Sequence, residues 1–266
     1  MRMRSSFLPG VLALTSLAAI LGRNPSSFAQ AQAPTPSPQK DAARTRDLTL
    51  EERGDIFMAR KSYIDAVDYY YRALKQSNFS NPTIWNKLGI AYQQQVNHKA
   101  ARKAYSKAIH LRKDFSEAYN NVGTTYYLEN KYRKSLKYYR RAIEIDPNNA
   151  TYHLNLGSSL YSMKKYPEAV QEYQTALSLN PNVLTERSTV GTVMQARGTD
   201  PRFYFYMAKV FASLGRVDEA VRYLRRAFED GFKDQKKLQE DPDFQKISSY
   251  PAYVELLNNP PVPIQQ

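Results

Sequence analysis

Cysteine is absent from this chain of 266 residues, and histidine occurs only at His98, His110 and His153. The first absence excludes disulfides, thiolate metal sites, cysteine nucleophiles and a lipid-modified N-terminal cysteine. The second leaves imidazole chemistry thin. His98 and His153 each lack a second His, Asp or Glu at the i, i+4 spacing that puts two ligands on one helical face. Gly-rich phosphate loops, Gly-x-Ser-x-Gly and His-Glu-x-x-His are missing as well. Neither metal, cofactor nor catalytic residues are therefore expected, and the chain does not read as an enzyme. Long apolar runs are also scarce. Phe7 to Leu21 holds about fifteen residues and is interrupted by Pro9-Gly10, whereas a spanning helix needs roughly twenty.

That run follows Arg2 and Arg4 and precedes the small-x-small sites Ala29-Gln30-Ala31 and Ala31-Gln32-Ala33. Residues 1–31 have the layout of a secretory signal peptide, with an uncleaved membrane anchor as the alternative. The expected location is the bacterial periplasm or the medium, since a cysteine-free exported chain suits a bacterial envelope. Residues 32–46, with Pro34, Pro36 and Pro38, offer nothing that could seed a core and read as a disordered tether.

From Asp47 onward the chain repeats itself. Gly54, Gly89, Gly123, Gly157 and Ala208 are spaced by 35, 34, 34 and 51 residues. The columns Ala66, Ala101, Ser135, Ala169, Ala220 and Ala73, Ala108, Ala142, Ala176, Ala227 keep the same spacings. So does the column Tyr70, Tyr105, Tyr139, Tyr173, Leu224. A fixed period in this range predicts a solenoid of stacked units, interrupted once by an insertion at 184–200. Within a unit the apolar residues fall at helical spacings in two blocks, as at Tyr119, Val122, Tyr126 and then Leu136, Tyr139, Ile143. Asp146-Pro147-Asn148-Asn149 and Asn180-Pro181-Asn182 end second helices, because proline pushes the preceding residue out of the helical region.

Trp85-x-x-Leu88-Gly89-x-x-Tyr92, followed by Ala101, Tyr105 and Ala108, resembles a tetratricopeptide repeat, and Ser116 to Asn149 does so again. The resemblance implies an all-α, right-handed superhelical solenoid of about five helix-turn-helix repeats with a C-terminal helical cap. Four repeats are expected over 47–183 and a fifth over 201–234. Two short apolar clusters, Phe244 with Ile247 and Tyr253 with Leu256 and Leu257, predict a cap over 235–259, with a disordered tail at 260–266. The 184–200 insertion reads as a surface excursion or as a flap over the inner groove.

In this family the first helices line a concave groove. The resemblance therefore implies a partner-binding set of Asn86, Ile90, Gln93, Asn120, Asn121, Thr124, Tyr127, Asn155, Ser158, Tyr161, Phe205 and Lys209. Asparagine can both donate to and accept from a peptide backbone, so Asn121 and Asn155 are expected to grip an extended segment in series. The places that would carry a cationic clamp for a C-terminal carboxylate hold Glu51, Asp55 and Glu117 instead, and that function is not carried over.

Charge supplies a second theme. Without Arg2, Arg4 and Arg23 the chain retains 35 of its 38 basic residues against 25 acids. The excess concentrates on second helices, at Lys99, Arg102, Lys103, Lys107, Arg112 and Lys113, and at Lys131, Arg133, Lys134, Lys137, Arg140 and Arg141. Such a face attracts anionic partners. The expected function is thus a non-enzymatic scaffold holding a protein or peptide partner in the concave groove. The alternative is an envelope protein attached through its basic convex face to anionic lipid or cell-wall polymer. Nucleic acid is not an expected partner of an exported chain.

Overall fold

Thr49 opens the first helix with a capping box: its hydroxyl accepts from the Glu52 backbone N–H while the Glu52 carboxylate accepts from the Thr49 N–H. From there a computed structural model describes residues 47–185 and 200–263. The signal-peptide and tether readings, most of the 184–200 insertion and the last three residues of the tail lie outside these.

Among the described residues every regular element is an α-helix. The helices fall in pairs: α1 (Leu50–Ala59) with α2 (Tyr63–Gln76), α3 (Pro82–Gln94) with α4 (His98–Leu111), and α5 (Ser116–Leu128) with α6 (Tyr132–Ile145). After these come α7 (Ala150–Ser162) with α8 (Tyr166–Leu179), and α9 (Pro201–Ser213) with α10 (Val217–Glu229). Each helix packs on the next, and α3, α5 and α7 also touch in series, so the first helices of the middle repeats form a common face. None of the described helices is long and apolar enough to cross a membrane.

Within each hairpin the chain reverses at one residue in the left-handed region: Lys61, Val96, Asn130, Lys164 and Gly215, with φ of 60°, 61°, 58°, 61° and 70°. The residue after it returns its N–H to the first helix, as Asn97 does to Tyr92 O and Arg216 to Phe211 O. This is the backbone pattern that closes a helix and satisfies its last carbonyls. Only the fifth repeat uses the residue best suited to it.

The hairpins close through one recurring contact. Tyr70, Tyr105, Tyr139 and Tyr173, each at most 2% exposed, lie across Gly54, Gly89, Gly123 and Gly157 sixteen residues earlier. A Cβ on these glycines would sit 2.4–2.7 Å from the ring's Cε1. The fifth repeat has Ala208 where the others have glycine, and there Leu224 replaces the tyrosine. The two departures are one: a narrower side chain on the second helix admits a methyl on the first.

Three short helices follow: α11 (Gln235–Glu240), α12 (Pro242–Gln245) and α13 (Pro251–Asn258). Helix α12 packs on α9 and α13 on α10. They bury Leu238, Phe244, Ile247, Tyr253 and Leu256 against the last repeat, as the sequence clusters anticipate.

Replacing a helical glycine by alanine ordinarily favours the helix by roughly 1 kcal/mol. Gly89→Ala should instead destabilise by about 1–2 kcal/mol, because the Tyr105 ring is fully buried and cannot yield without strain. Adding Tyr105→Leu should cost less than the two single effects summed. Urea midpoints for the four-member cycle measure this, and strict additivity would show that the ring and the glycine are not coupled.

Candidate functional site

The first-helix face is built from the residues that follow each glycine, and their polar atoms are largely in use. The Tyr70 hydroxyl donates to Asp55 Oδ1 at 2.7 Å, Tyr105 to Gln93 Oε1 at 3.0 Å, Tyr139 to Thr124 Oγ1 at 3.3 Å and Tyr173 to Ser158 Oγ at 3.4 Å. The ring that crosses the glycine thus ends on the groove side of the first helix. Burial raises the Tyr70, Tyr105 and Tyr139 phenols above their ordinary value; the Asp55 carboxylate adds to the upward push on Tyr70 and the Glu117 charge to that on Tyr105, while the Thr124 hydrogen bond opposes it at Tyr139.

The four asparagines form a single polarised chain across three repeats. Asn155 Nδ2 donates to Asn120 Oδ1 at 2.9 Å, Asn120 Nδ2 to Asn121 Oδ1 at 3.3 Å, and Asn121 Nδ2 to Asn86 Oδ1 at 3.1 Å. Asn86 Nδ2 ends the chain on Glu117 Oε1 at 2.9 Å. All four are at most 3% exposed. The amides of Asn86, Asn120, Asn121 and Asn155, expected from the sequence to grip a partner, are taken up in tying α3, α5 and α7 together. Gln93, Thr124 and Ser158 are likewise buried as tyrosine partners. Sequence spacing put these residues on the right helices, but it could not show that their hydrogen-bonding groups meet one another.

Phe205 and Lys209 of the expected set are engaged differently. Phe205 stacks on Phe232 at 4.5 Å between ring centres and packs on Phe244. The Lys209 ammonium lies 2.6 Å from Asp241 Oδ2 and 3.6 Å from Asp243 Oδ2. In the fifth repeat Lys209 takes the place of Thr124 and Ser158, and Leu224 has no hydroxyl to direct there. The chain's own C-terminal segment occupies the position instead.

Two recesses open on this face among the described residues. One, of about 530 Å³, lies between α1 and α3 and is lined by Met58, Ile90, Tyr70, Gln94, Asp55 and Lys87 among others. Lys87 Nζ reaches both Glu51 and Asp55 at 2.7 Å. The other, of about 390 Å³, lies where α5, α7 and α9 approach and is lined by Tyr127, Tyr132, Tyr161, Tyr166, Asp200 and Arg202. The Tyr161 hydroxyl donates to Asp200 Oδ2 at 2.7 Å, and Asp200 also caps α9 through the Arg202 N–H. Of the sequence-derived set, Ile90, Tyr127 and Tyr161 are the members that line open volume. Met58, Lys87, Gln94 and Arg202 were missed, although Met58 stands in the column of Gln93, Tyr127 and Tyr161 and Lys87 in that of Asn121 and Asn155, so the period could have found both; Gln94 stands outside the groove columns and Arg202 follows the insertion.

On the opposite, second-helix side the basic residues are at the surface. Lys99, Lys103, Lys107, Arg112, Lys113, Lys131, Arg133, Lys134, Lys137, Arg140 and Arg141 are exposed and Arg102 is half-buried. Three have acidic partners: Arg102 and Lys131 meet Glu129 at 2.7 and 2.6 Å, and Arg141 meets Glu144 at 2.9 Å. The hydrogen bond from Lys131, with Arg102 adding to it and burial opposing, holds the Glu129 carboxyl below its ordinary range.

With this geometry in view, the family comparison is decisive for the middle of the chain. Models described as tetratricopeptide repeat match 82–115, 116–149 and 150–183. Residues 82–183 are tetratricopeptide repeats. These three tetratricopeptide repeats make up less than half of the chain, and the hairpins α1–α2 and α9–α10 flank them. No curated protein matches the sequence. Among solved structures, the chain is similar to MamA, at 22% identity and a TM-score of 0.48 over 70% of this chain and 96% of that one. It is similar to the Sgt2 TPR domain from Aspergillus fumigatus, at 23% and 0.42 over 49% and 82%. It is also similar to the first TPR of Spaghetti (RPAP3) bound to an HSP90 peptide, at 22% and 0.41 over 48% and 96%.

Among the described residues no three of His, Asp and Glu come together as a metal would require. His153 is held between two acceptors, Glu172 Oε2 at 2.7 Å from Nδ1 and Pro147 O at 3.0 Å from Nε2. Only the imidazolium can donate to both. The Glu172 hydrogen bond, opposed by burial and aided by the Pro147 carbonyl, raises His153 above its ordinary value.

Two outcomes follow from these contacts. Asn121→Ala removes the partner of Asn86 Oδ1 and of Asn120 Nδ2, and urea unfolding should show a loss of about 1–3 kcal/mol; an unchanged midpoint would return Asn121 to a purely ligand-facing role. The stabilisation from His153 should be complete below the unfolded-state value of about 6.5 and be lost as pH rises through the higher folded value. Stability measured from about pH 6 to 9 should therefore fall more steeply in the native chain than in His153→Gln; parallel profiles would contradict the assignment.

Proposed function

We propose that the chain is a non-enzymatic scaffold that holds a segment of a partner protein along its first-helix face. The recess between α1 and α3 is the observation that supports this most directly. Met58, Ala59 and Ile90 give it an apolar wall, and Asp55, Lys61, Lys87 and Gln94 bring a few polar groups to it. Apolar lining with sparse, fixed polar groups is the composition of a site that takes one large side chain and orients the segment bearing it. The asparagine chain and the tyrosine hydroxyls make the rest of the face rigid, which lowers the ordering cost of binding. The partner is a protein or peptide, engaged at the two recesses rather than by the asparagines between them.

We place this scaffold outside the bacterial cytoplasm, on the basis of Arg2 and Arg4, the apolar run Phe7 to Leu21 and the small-residue sites after it. N-terminal sequencing of the protein from an envelope fraction checks this, and a start near Gln32 is the expected result. Attachment of the basic face to flat anionic surfaces is less well supported, since that side is cleft rather than level.

A photo-crosslinking amino acid at position 58 or 94 should yield a discrete polypeptide adduct in vivo, while one at the exposed Ser178 on α8 should not. Met58→Arg fills the recess from a half-buried position and should reduce adduct formation at 94 at least tenfold with helical content unchanged. Equal adducts from all three positions, or an adduct insensitive to Met58→Arg, would overturn the proposal.

A further inference from the structure

A recess larger than either of those on the first-helix face is on the other side. A cleft of about 840 Å³ opens between α2 and α4, with Trp85, Leu88 and Tyr92 of α3 and Tyr126 of α5 in its lining. No Asp or Glu lines it. Lys99, Lys103 and Lys107 line its α4 side at every fourth residue, which places them on one face at a rise of about 6 Å each. None of the three lysines has a carboxylate within salt-bridge reach among the described residues, unlike neighbouring Arg102, which is engaged by Glu129. The Trp85 indole N–H donates to Phe79 O at 3.0 Å, so the ring is fixed with its polar edge satisfied.

We propose that this cleft binds an acidic amphipathic helix of another protein. Carboxylates four residues apart on such a helix match the lysine row, and its apolar side chains, three and four apart, enter the aromatic floor. Each half of the site selects the same occupant. The floor lies below the flanking helices, so a protruding side chain reaches it whereas a level lipid headgroup layer does not. A single strand of nucleic acid would need free aromatic faces for stacking. Tyr126 instead stacks with Tyr138 at 5.4 Å and carries the Arg102 guanidinium at 4.7 Å. The chain cannot supply the occupant from outside its described residues: 1–46 and 186–199 contain one acid each, Asp41 and Glu186, and 264–266 contain none. This site is independent of the first-helix face and stands or falls separately from it.

Trp85 is the only tryptophan, so its fluorescence reports the cleft without a label. The full chain is titrated with a synthetic helix of about 16 residues carrying Glu at every fourth position and Leu on the opposite stripe. Saturable change in Trp85 emission is expected, weakening about tenfold from 50 to 500 mM salt as screening grows. Lys103→Glu with Lys107→Glu, both fully surface positions, should weaken it at least tenfold, and Met58→Arg should leave it unchanged. A probe with its leucines replaced by alanine should not bind. Absence of a Trp85 response, or equal binding by the charge-reversed variant or the leucine-free probe, would overturn the proposal. An equal response to duplex DNA or to phosphatidylglycerol vesicles at matched charge would do so too, assigning the face to anions in general.

Discussion

The tyrosine that crosses a glycine governs much of this structure. In four successive hairpins the ring lies where a Cβ would otherwise be, so the two helices approach as closely as a bare backbone allows. The same ring is long enough to pass beneath the first helix and deliver its hydroxyl to a residue on the far side. One side chain therefore sets the hairpin spacing, fills the core and satisfies a groove-side acceptor. Where the chain gives this contact up, at Ala208 and Leu224, all three consequences change together. The hairpin tolerates a methyl, no hydroxyl arrives, and Lys209 is left to pair with the C-terminal segment.

Polar residues on the inner face are thus of two kinds. Those near the glycines complete the tyrosine contacts, and the asparagines complete one another in a chain ending on the Glu117 carboxylate. Both arrangements bury donors and acceptors that would be costly to leave unmet. Open volume is left in three places: the α1–α3 recess at one end, the tyrosine-lined recess near α9 at the other, and the cleft between α2 and α4 on the opposite side. Charge divides along the same line, with acids holding Lys87 on the first-helix face and unpaired lysines flanking the cleft.

The five helical hairpins and the cap were legible in the sequence because their signals are local and repeated. Four columns keep one register, prolines mark the ends of second helices, and Phe244, Ile247, Tyr253 and Leu256 recur at helical spacing. The turn within each hairpin was less legible. Lys61, Val96, Asn130 and Lys164 adopt a left-handed conformation that composition does not advertise, because packing of the paired helices imposes it. Among the groove candidates, placement on the first helices was readable, while freedom to bind was not. Asn121 and Asn155 look like an exposed ladder along the chain, yet their partners stand 35 residues away in the neighbouring repeats.

By itself, then, the sequence determined the period, the pairing of helices and the concentration of positive charge on the second ones. All of these arise from residues a few positions apart, where helical geometry converts spacing directly into a shared face. Only the tertiary structure decided which polar groups are already satisfied, which aromatic residues border open volume, and which lysines lack a counter-charge. Those properties depend on side chains from different repeats meeting at hydrogen-bond distance, and a linear pattern carries no record of that meeting.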